Sequence, residues 1–297
     1  MKLKITGLSR TYQNGVKALE DVSLEIGEGM FGLLGPNGAG KSTLMRTIAT
    51  IQLPDKGKIM LDDIDVINDP MSLRKVLGYL PQEFGVYPKI SAADLLEYFA
   101  ALKGISPASE RTKAVKNVLE AVNLFEERNK YVAGYSGGMK RRFGIAQLLL
   151  SGPRLIIVDE PTAGLDPSER NRFLNVLREI ASTNIIIFST HIVEDIKDLC
   201  NDMAIINRGR ILRHTTPANA TEEMKGKIWR RTIERSMLES AESRYFVLSS
   251  KYENDTHISI RVYSETSPGE GFSPSGPGLE DVYFYTLGKD SQLNRSN

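Results

Sequence analysis

The chain has 297 residues, enough for about two ordinary domains at roughly 150 residues each. Its 41% hydrophobic and 25% charged content excludes disordered, collagen-like and coiled-coil classes. With 38 basic and 37 acidic side chains the formal charge is +1, which excludes a general binder of nucleic acid or anionic lipid; no nucleic-acid partner is expected. The single cysteine, Cys200, cannot form an internal disulfide and suits a reducing compartment. Residues 1–10 mix charge with apolar residues and lack the apolar core of a signal peptide. The strongest apolar runs, 155–158 and 185–188, fall far short of the roughly 20 residues that span a bilayer, so the chain is expected to be soluble and any span to come from another protein.

In chain order, residues 3–8, 22–26 and 58–66 alternate apolar and polar positions and predict strands. The almost wholly apolar run 30–34 predicts a strand buried on both faces. It feeds a Gly-rich turn and then a helix over 42–50, where Leu44, Met45 and Ile48 share one face. Residues 88–130 read as helical: Ser91 and Asp94 form a capping-box start, and Val115, Val118, Leu119 and Val122 follow helical spacing. The runs 155–158 and 184–188 bracket a helix over 168–181, and β, α, β alternation implies a parallel sheet. After residue 215 the texture changes to strands at 228–233, 245–248 and 258–262, then a Pro- and Gly-rich stretch, 268–278, expected as a flexible loop. From residue 215 onward there are 10 basic and 12 acidic residues, so this is no basic arm.

Gly35-Pro36-Asn37-Gly38-Ala39-Gly40-Lys41-Ser42 fits G-x-x-x-x-G-K-[ST] between a buried strand and a helix. The glycines let backbone N–H groups turn toward a phosphate chain, and the following helix aims its positive end at the same charge. Lys41 is expected to reach the β and γ phosphates, Ser42 to ligate Mg²⁺ and Thr43 to reach the α-phosphate. The loop alone specifies only a nucleoside triphosphate, since kinases, GTPases and many ATPases share it. Asp159 and Glu160 end the apolar run 155–158, at the strand edge where ligands sit in open parallel sheets. With the loop present, Asp159 is read as the Mg²⁺ holder through water and Glu160 as the general base on the attacking water. Tyr135-Ser136-Gly137-Gly138-Met139-Lys140-Arg141-Arg142 precedes a helix running to about residue 150; taken alone, it would be an ordinary N-cap with basic residues facing solvent.

Taken together, and in this order, these segments resemble the nucleotide-binding subunit of an ATP-binding cassette (ABC) transporter over roughly residues 1–215. Gln82, after Gly78-Tyr79-Leu80-Pro81, stands where the family has its Q-loop, and residues 135–139 resemble its Leu-Ser-Gly-Gly-Gln signature with Tyr135 and Met139 as departures. Gly164-Leu165-Asp166 resembles the D-loop, and His191 after Phe188-Ser189-Thr190 the switch histidine. Tyr12, 23 residues before Gly35, stands at the adenine-stacking position. The resemblance implies catalytic roles for Glu160, His191 and Gln82, with Gln82 also sensing Mg²⁺. It further implies ATP contacts from Tyr12, residues 35–43, Asp166 and the signature residues Ser136, Gly137 and Gly138. The signature acts across a dimer on the ATP of a second cassette, expected here to be another copy.

The expected fold is therefore α/β: a P-loop NTPase parallel-sheet core with an N-terminal antiparallel β subdomain and a helical insert (about 88–150), then a small α+β accessory unit over 216–297. Leu279-Glu280-Asp281-Val282-Tyr283, and the spacing of Glu83-Phe84-Gly85-Val86-Tyr87-Pro88 after Gln82, resemble cassettes paired with ABC-2-type permeases, mostly exporters. The resemblance thus implies a multispanning membrane permease as partner and a peripheral position on the cytoplasmic face of the membrane. The competing readings are a soluble non-transport ABC-type ATPase and a non-ABC phosphate-loop kinase.

Overall fold

Alternating burial makes the first two strands a ribbon with one face to hide. β1 (Leu3–Thr11) buries Leu3, Ile5 and Leu8, and pairs antiparallel with β2 (Lys17–Ile26), which buries Leu19, Val22, Leu24 and Ile26. The computed structural model describes residues 1–82, 85 and 88–293. β3 (Gly29–Leu34) is buried almost throughout and leads into α1 (Lys41–Ile48). The run 58–66, expected as one strand, is a hairpin of β4 (Lys56–Leu61) and β5 (Ile64–Asp65), because Asp62 takes a left-handed φ of 48° that the short polar side chain of Asp tolerates. The antiparallel sheet runs β2-β1-β4-β5. Asp69 then caps α2 (Pro70–Val76) by accepting from Ser72 N, and β6 (Leu77–Leu80) follows.

The helical insert opens as its sequence indicates: Ser91 Oγ accepts from Asp94 N at 3.1 Å and donates to Asp94 Oδ2 at 2.6 Å, starting α3 (Ala92–Leu102). α4 (Ala108–Ala121) buries Val115, Val118 and Leu119, and α5 (Gly137–Leu149) follows the signature turn. The chain continues through β7 (Leu155–Asp159), α6 (Pro167–Ile180), β8 (Ile185–Thr190), α7 (Val193–Leu199), β9 (Asp202–Asn207) and β10 (Arg210–Thr215). The central sheet has the order β10-β9-β3-β8-β7-β6, parallel except for β10. Its two faces feed two cores. Met30, Leu34, Ile156, Val158, Ile186 and Phe188 pack with the insert and α5 to α7, while Phe31, Leu33, Leu155, Ile157, Ile185 and Ile187 pack with α1 and the antiparallel sheet. Cover on both faces is why β3, β7 and β8 read as apolar runs instead of alternating.

The rest of the chain forms α8 (Pro217–Glu222), β11 (Ile228–Glu234), α9 (Leu238–Arg244), β12 (Phe246–Tyr252), β13 (His257–Tyr263), β14 (Ser273–Pro274) and α10 (Leu279–Leu293), with sheet order β12-β13-β11-β14. The stretch 268–278 is tied down and is not a free loop: β14 pairs with β11, and Arg261 donates to Ser275 Oγ and to Gly276 O, each at 2.8 Å. The Leu279–Tyr283 motif is internal. Leu279, Val282 and Tyr283 join the core that holds α5 to α7, and buried Asp281 accepts from Arg261 at 2.8 and 2.6 Å. The segment Glu83 to Pro88 lies outside the described residues apart from Gly85 and Pro88.

Candidate nucleotide site

The turn from β3 to α1 needs its glycines for reasons that can be read atom by atom. A Cβ on Gly35 would stand 2.4 Å from Ile206 O, and one on Gly40, where φ is 107°, would stand 2.5 Å from Ala18 O. Gly40 is the N-cap of α1 and makes no side-chain cap, so the helix start keeps free N–H groups. Lys41 is 4% exposed, and its Nζ donates to Gly35 O at 2.7 Å and Pro36 O at 3.1 Å. The same Nζ lies 3.1 Å from Glu160 Oε1. A buried ammonium is tolerated because carbonyls and a carboxylate surround it. A cavity of about 520 Å³ opens here, lined by Tyr12, Val16 to Ala18, Asn37 to Thr43, Gln82 and Glu160.

At the end of β7 the Asp159 carboxylate and the Glu160 backbone are both held from β8. Ser189 Oγ donates to Asp159 Oδ1 at 2.7 Å and accepts from Glu160 N at 3.0 Å, while Asp159 is 2% exposed. Glu160 takes a φ of 44°, a strained value for a residue with a side chain, costing about 1–3 kcal/mol. His191 Nδ1 lies 3.4 Å from Glu160 Oε2. Beneath this loop Asp195 is wholly buried and accepts from Thr162 Oγ1 at 2.7 Å, Thr190 Oγ1 at 3.2 Å and Arg170 Nε at 2.7 Å. At the other side of the cavity the Tyr12 hydroxyl is 3.1 Å from Thr43 Oγ1 and donates to Gln52 Oε1 at 3.3 Å.

The signature residues stand apart. Ser136 Oγ accepts from Met139 N at 3.1 Å as the N-cap of α5, and Ser136 and Gly137 are exposed. None of Ser136, Gly137, Gly138 and Asp166 lines the cavity; the Asp166 carboxylate caps α6, accepting from Glu169 N at 2.9 Å. A Cβ on Gly138 would lie 2.1 Å from Glu169 Oε2, so only glycine lets α6 approach so closely. Tyr135 is a core residue: its ring meets Phe143 edge-on at 6.3 Å, its hydroxyl donates to Glu127 O at 2.8 Å, and burial pushes its pKa up to about 12. The basic residues after the signature do not simply face solvent. Arg142 is 5% exposed and 3.3 Å from Glu169, and Arg141 reaches back to the Glu160 loop.

Comparison with known proteins decides the family. The chain is 32% identical over 295 residues, 95% of its own length and 98% of the relative's, to an uncharacterized ABC transporter ATP-binding protein of Bacillus subtilis. It belongs to the ABC transporter family. The family model itself matches residues 19–163, from β2 to the turn after β7. The daunorubicin/doxorubicin resistance ATP-binding protein of Streptomyces peucetius is 32% identical over 244 residues, covering 82% of this chain and 72% of that protein. A dimeric ATP-binding cassette in a post-hydrolysis state with ADP and Pi superposes with a TM-score of 0.64 at 26% identity, over 72% of this chain and 98% of that one. The chain is thus an ATP-binding ABC transporter subunit and an ATPase, with the P-loop NTPase fold.

Within this ABC ATPase the donor set suits Mg²⁺ arriving with nucleotide. Among the described residues no cluster of three or more His, Cys, Asp or Glu could hold a metal by itself. Ser42 lines the cavity, and Asp159 is a buried carboxylate fixed by Ser189, the few-ligand arrangement expected of an ion that keeps much of its water and takes phosphate oxygens. Sequence reasoning missed Ser189, Arg141 and Asp195. Ser189 had the most legible signal, since it pairs in register with Asp159 across β7 and β8.

Proposed function

We propose that two copies of this chain close around two ATP molecules and power a separate membrane permease. The observation that carries this reading is the division of the site: Lys41 and Glu160 line one cavity with His191 beside Glu160, while the helix start at Ser136 is exposed and lines no part of it. A second copy brings its Ser136 and Gly138 to the γ-phosphate held on this chain's loop, with Asp166 beside the joint. ATP then bridges two surfaces in the closed state and one in the open state, so binding shifts the population toward closure.

Within one half-site, the backbone of residues 35–43 cradles the phosphates and Tyr12 stacks on the adenine. Lys41 exchanges its contacts with Gly35 O, Pro36 O and Glu160 for phosphate oxygens, which frees the Glu160 carboxylate. Mg²⁺, held with Ser42, Gln82 and Asp159, supplies neutralisation of phosphate charge. Glu160 accepts a proton from the attacking water as its oxygen bonds to the γ-phosphorus and the bond to the β–γ bridging oxygen breaks. His191, beside Glu160, contacts the γ-phosphate.

Residues 1–215 act as the cassette, with the helical subdomain at about 88–150, and residues 216–297 as an accessory domain. Among the described residues no helix is long and apolar enough to cross a membrane. A permease partner at the cytoplasmic face supplies the crossing, and the named drug-resistance relative supports export as the direction. Glu160→Gln tests the chemistry: ATP binding persists while turnover falls about 10²- to 10⁴-fold, the range of a general base. Turnover near wild type in this variant refutes Glu160 as the base.

A further inference from the structure

We propose that Arg141 is a positioning residue for hydrolysis, clamping the turn that carries Glu160 and tying it to the helix that begins at Ser136. The inference rests on Glu160 being the base. Arg141 donates from one guanidinium nitrogen to Glu160 O at 3.1 Å and from the other to Ala163 O at 2.6 Å. The turn's own closing bond, Ala163 N to Glu160 O, is long at 3.4 Å, and its other anchors are Ser189 Oγ on Glu160 N and Asp195 on Thr162 Oγ1, neither of which holds the Glu160 or Ala163 carbonyl. A left-handed φ at a non-glycine residue persists only where the surroundings hold it, and Arg141 is one of those constraints. A planar guanidinium meets two carbonyls at once, which a single ammonium does less well.

The neighbouring residues separate this role from general packing. Arg142 turns the other way, to Glu169 on α6, while Arg141 is half-buried against its two carbonyl partners, and burial lowers its pKa. Arg141 lies on the same rigid helix as Ser136, five positions along. Ser136 engages the partner's nucleotide, whereas Arg141 holds this chain's own base. A displacement of α5 on closure therefore reaches Glu160 directly, so that one nucleotide site informs the other.

The test measures ATP affinity, kcat and thermal stability for Arg141→Ala and Arg141→Lys in the full chain. Arg141→Ala is expected to lower kcat about 10- to 100-fold, the scale of a misplaced catalytic group, with ATP affinity within about twofold of wild type. Arg141→Lys is expected to recover part of that loss, and it remains informative if the alanine variant folds poorly. On a Glu160→Gln background Arg141→Ala should cost nothing further, because it acts through Glu160. Unchanged kcat in both variants, in a protein where Glu160→Gln is inactive, overturns the proposal while leaving the base assignment standing. Normal turnover in Glu160→Gln overturns the base assignment itself. Combining Ser136→Ala with Arg141→Ala should give a less than additive loss, and strict additivity overturns the link between sites.

Discussion

Two helices in this chain start at glycine-rich turns, and they meet their surroundings in opposite ways. α1 begins at Gly40 with no side-chain cap, inside a cavity whose lysine is folded back on its own loop's carbonyls. α5 begins at Ser136, capped by its own hydroxyl and open to solvent. The first opens into a cavity that Glu160 also lines; the second starts at an exposed surface. A third start, α6, is capped by the Asp166 carboxylate, which already answers the positive end of that helix.

The contrast can be broken from either side. Lys41→Ala removes the buried ammonium at the loop, and should weaken ATP binding about 10- to 100-fold, as expected for lost hydrogen bonds to a charged group, measured by titration calorimetry. Gly138→Ala strikes the other helix. Its methyl group would collide with Glu169, so it should destabilise the fold by about 1–3 kcal/mol and lower turnover about tenfold, while ATP affinity at the α1 site stays unchanged. Tyr12→Ala is the mildest change, removing a stacking surface worth about 1 kcal/mol and weakening ATP about fivefold. Tyr12→Phe, which keeps the ring and loses only the hydroxyl's contacts to Thr43 and Gln52, should sit closer to wild type in the same titration.

Much of the α1 half was legible in sequence, because glycine spacing, a buried strand and paired carboxylates are local patterns. What escaped was whatever depends on two distant segments meeting. The basic run 140–142 reads as a solvated face, yet Arg142 is buried against Glu169 and Arg141 crosses to the turn after β7. Asp195 is wholly buried by Thr162, Thr190 and Arg170, a meeting of separate segments that no local pattern announces. The hairpin hidden in 58–66 escaped because its turn is two aspartates with no glycine or proline. Residues 216–297 were legible as strands but not in extent: β12 runs on to Tyr252 through exposed residues that carry no burial signal. Its Pro- and Gly-rich stretch looked free because the arginine that fastens it comes from another strand.

The claim that one nucleotide site is divided between two copies has a direct test in complementation. Lys41→Ala spoils the α1 half and Ser136→Ala the α5 half, so turnover falls in each homodimer. In a mixture, the intact loop of the Ser136→Ala protomer meets the intact signature of the Lys41→Ala protomer. ATP turnover should then rise above that of either variant alone. A mixture no more active than its separate components, with mixed dimers demonstrably formed, would contradict the divided site.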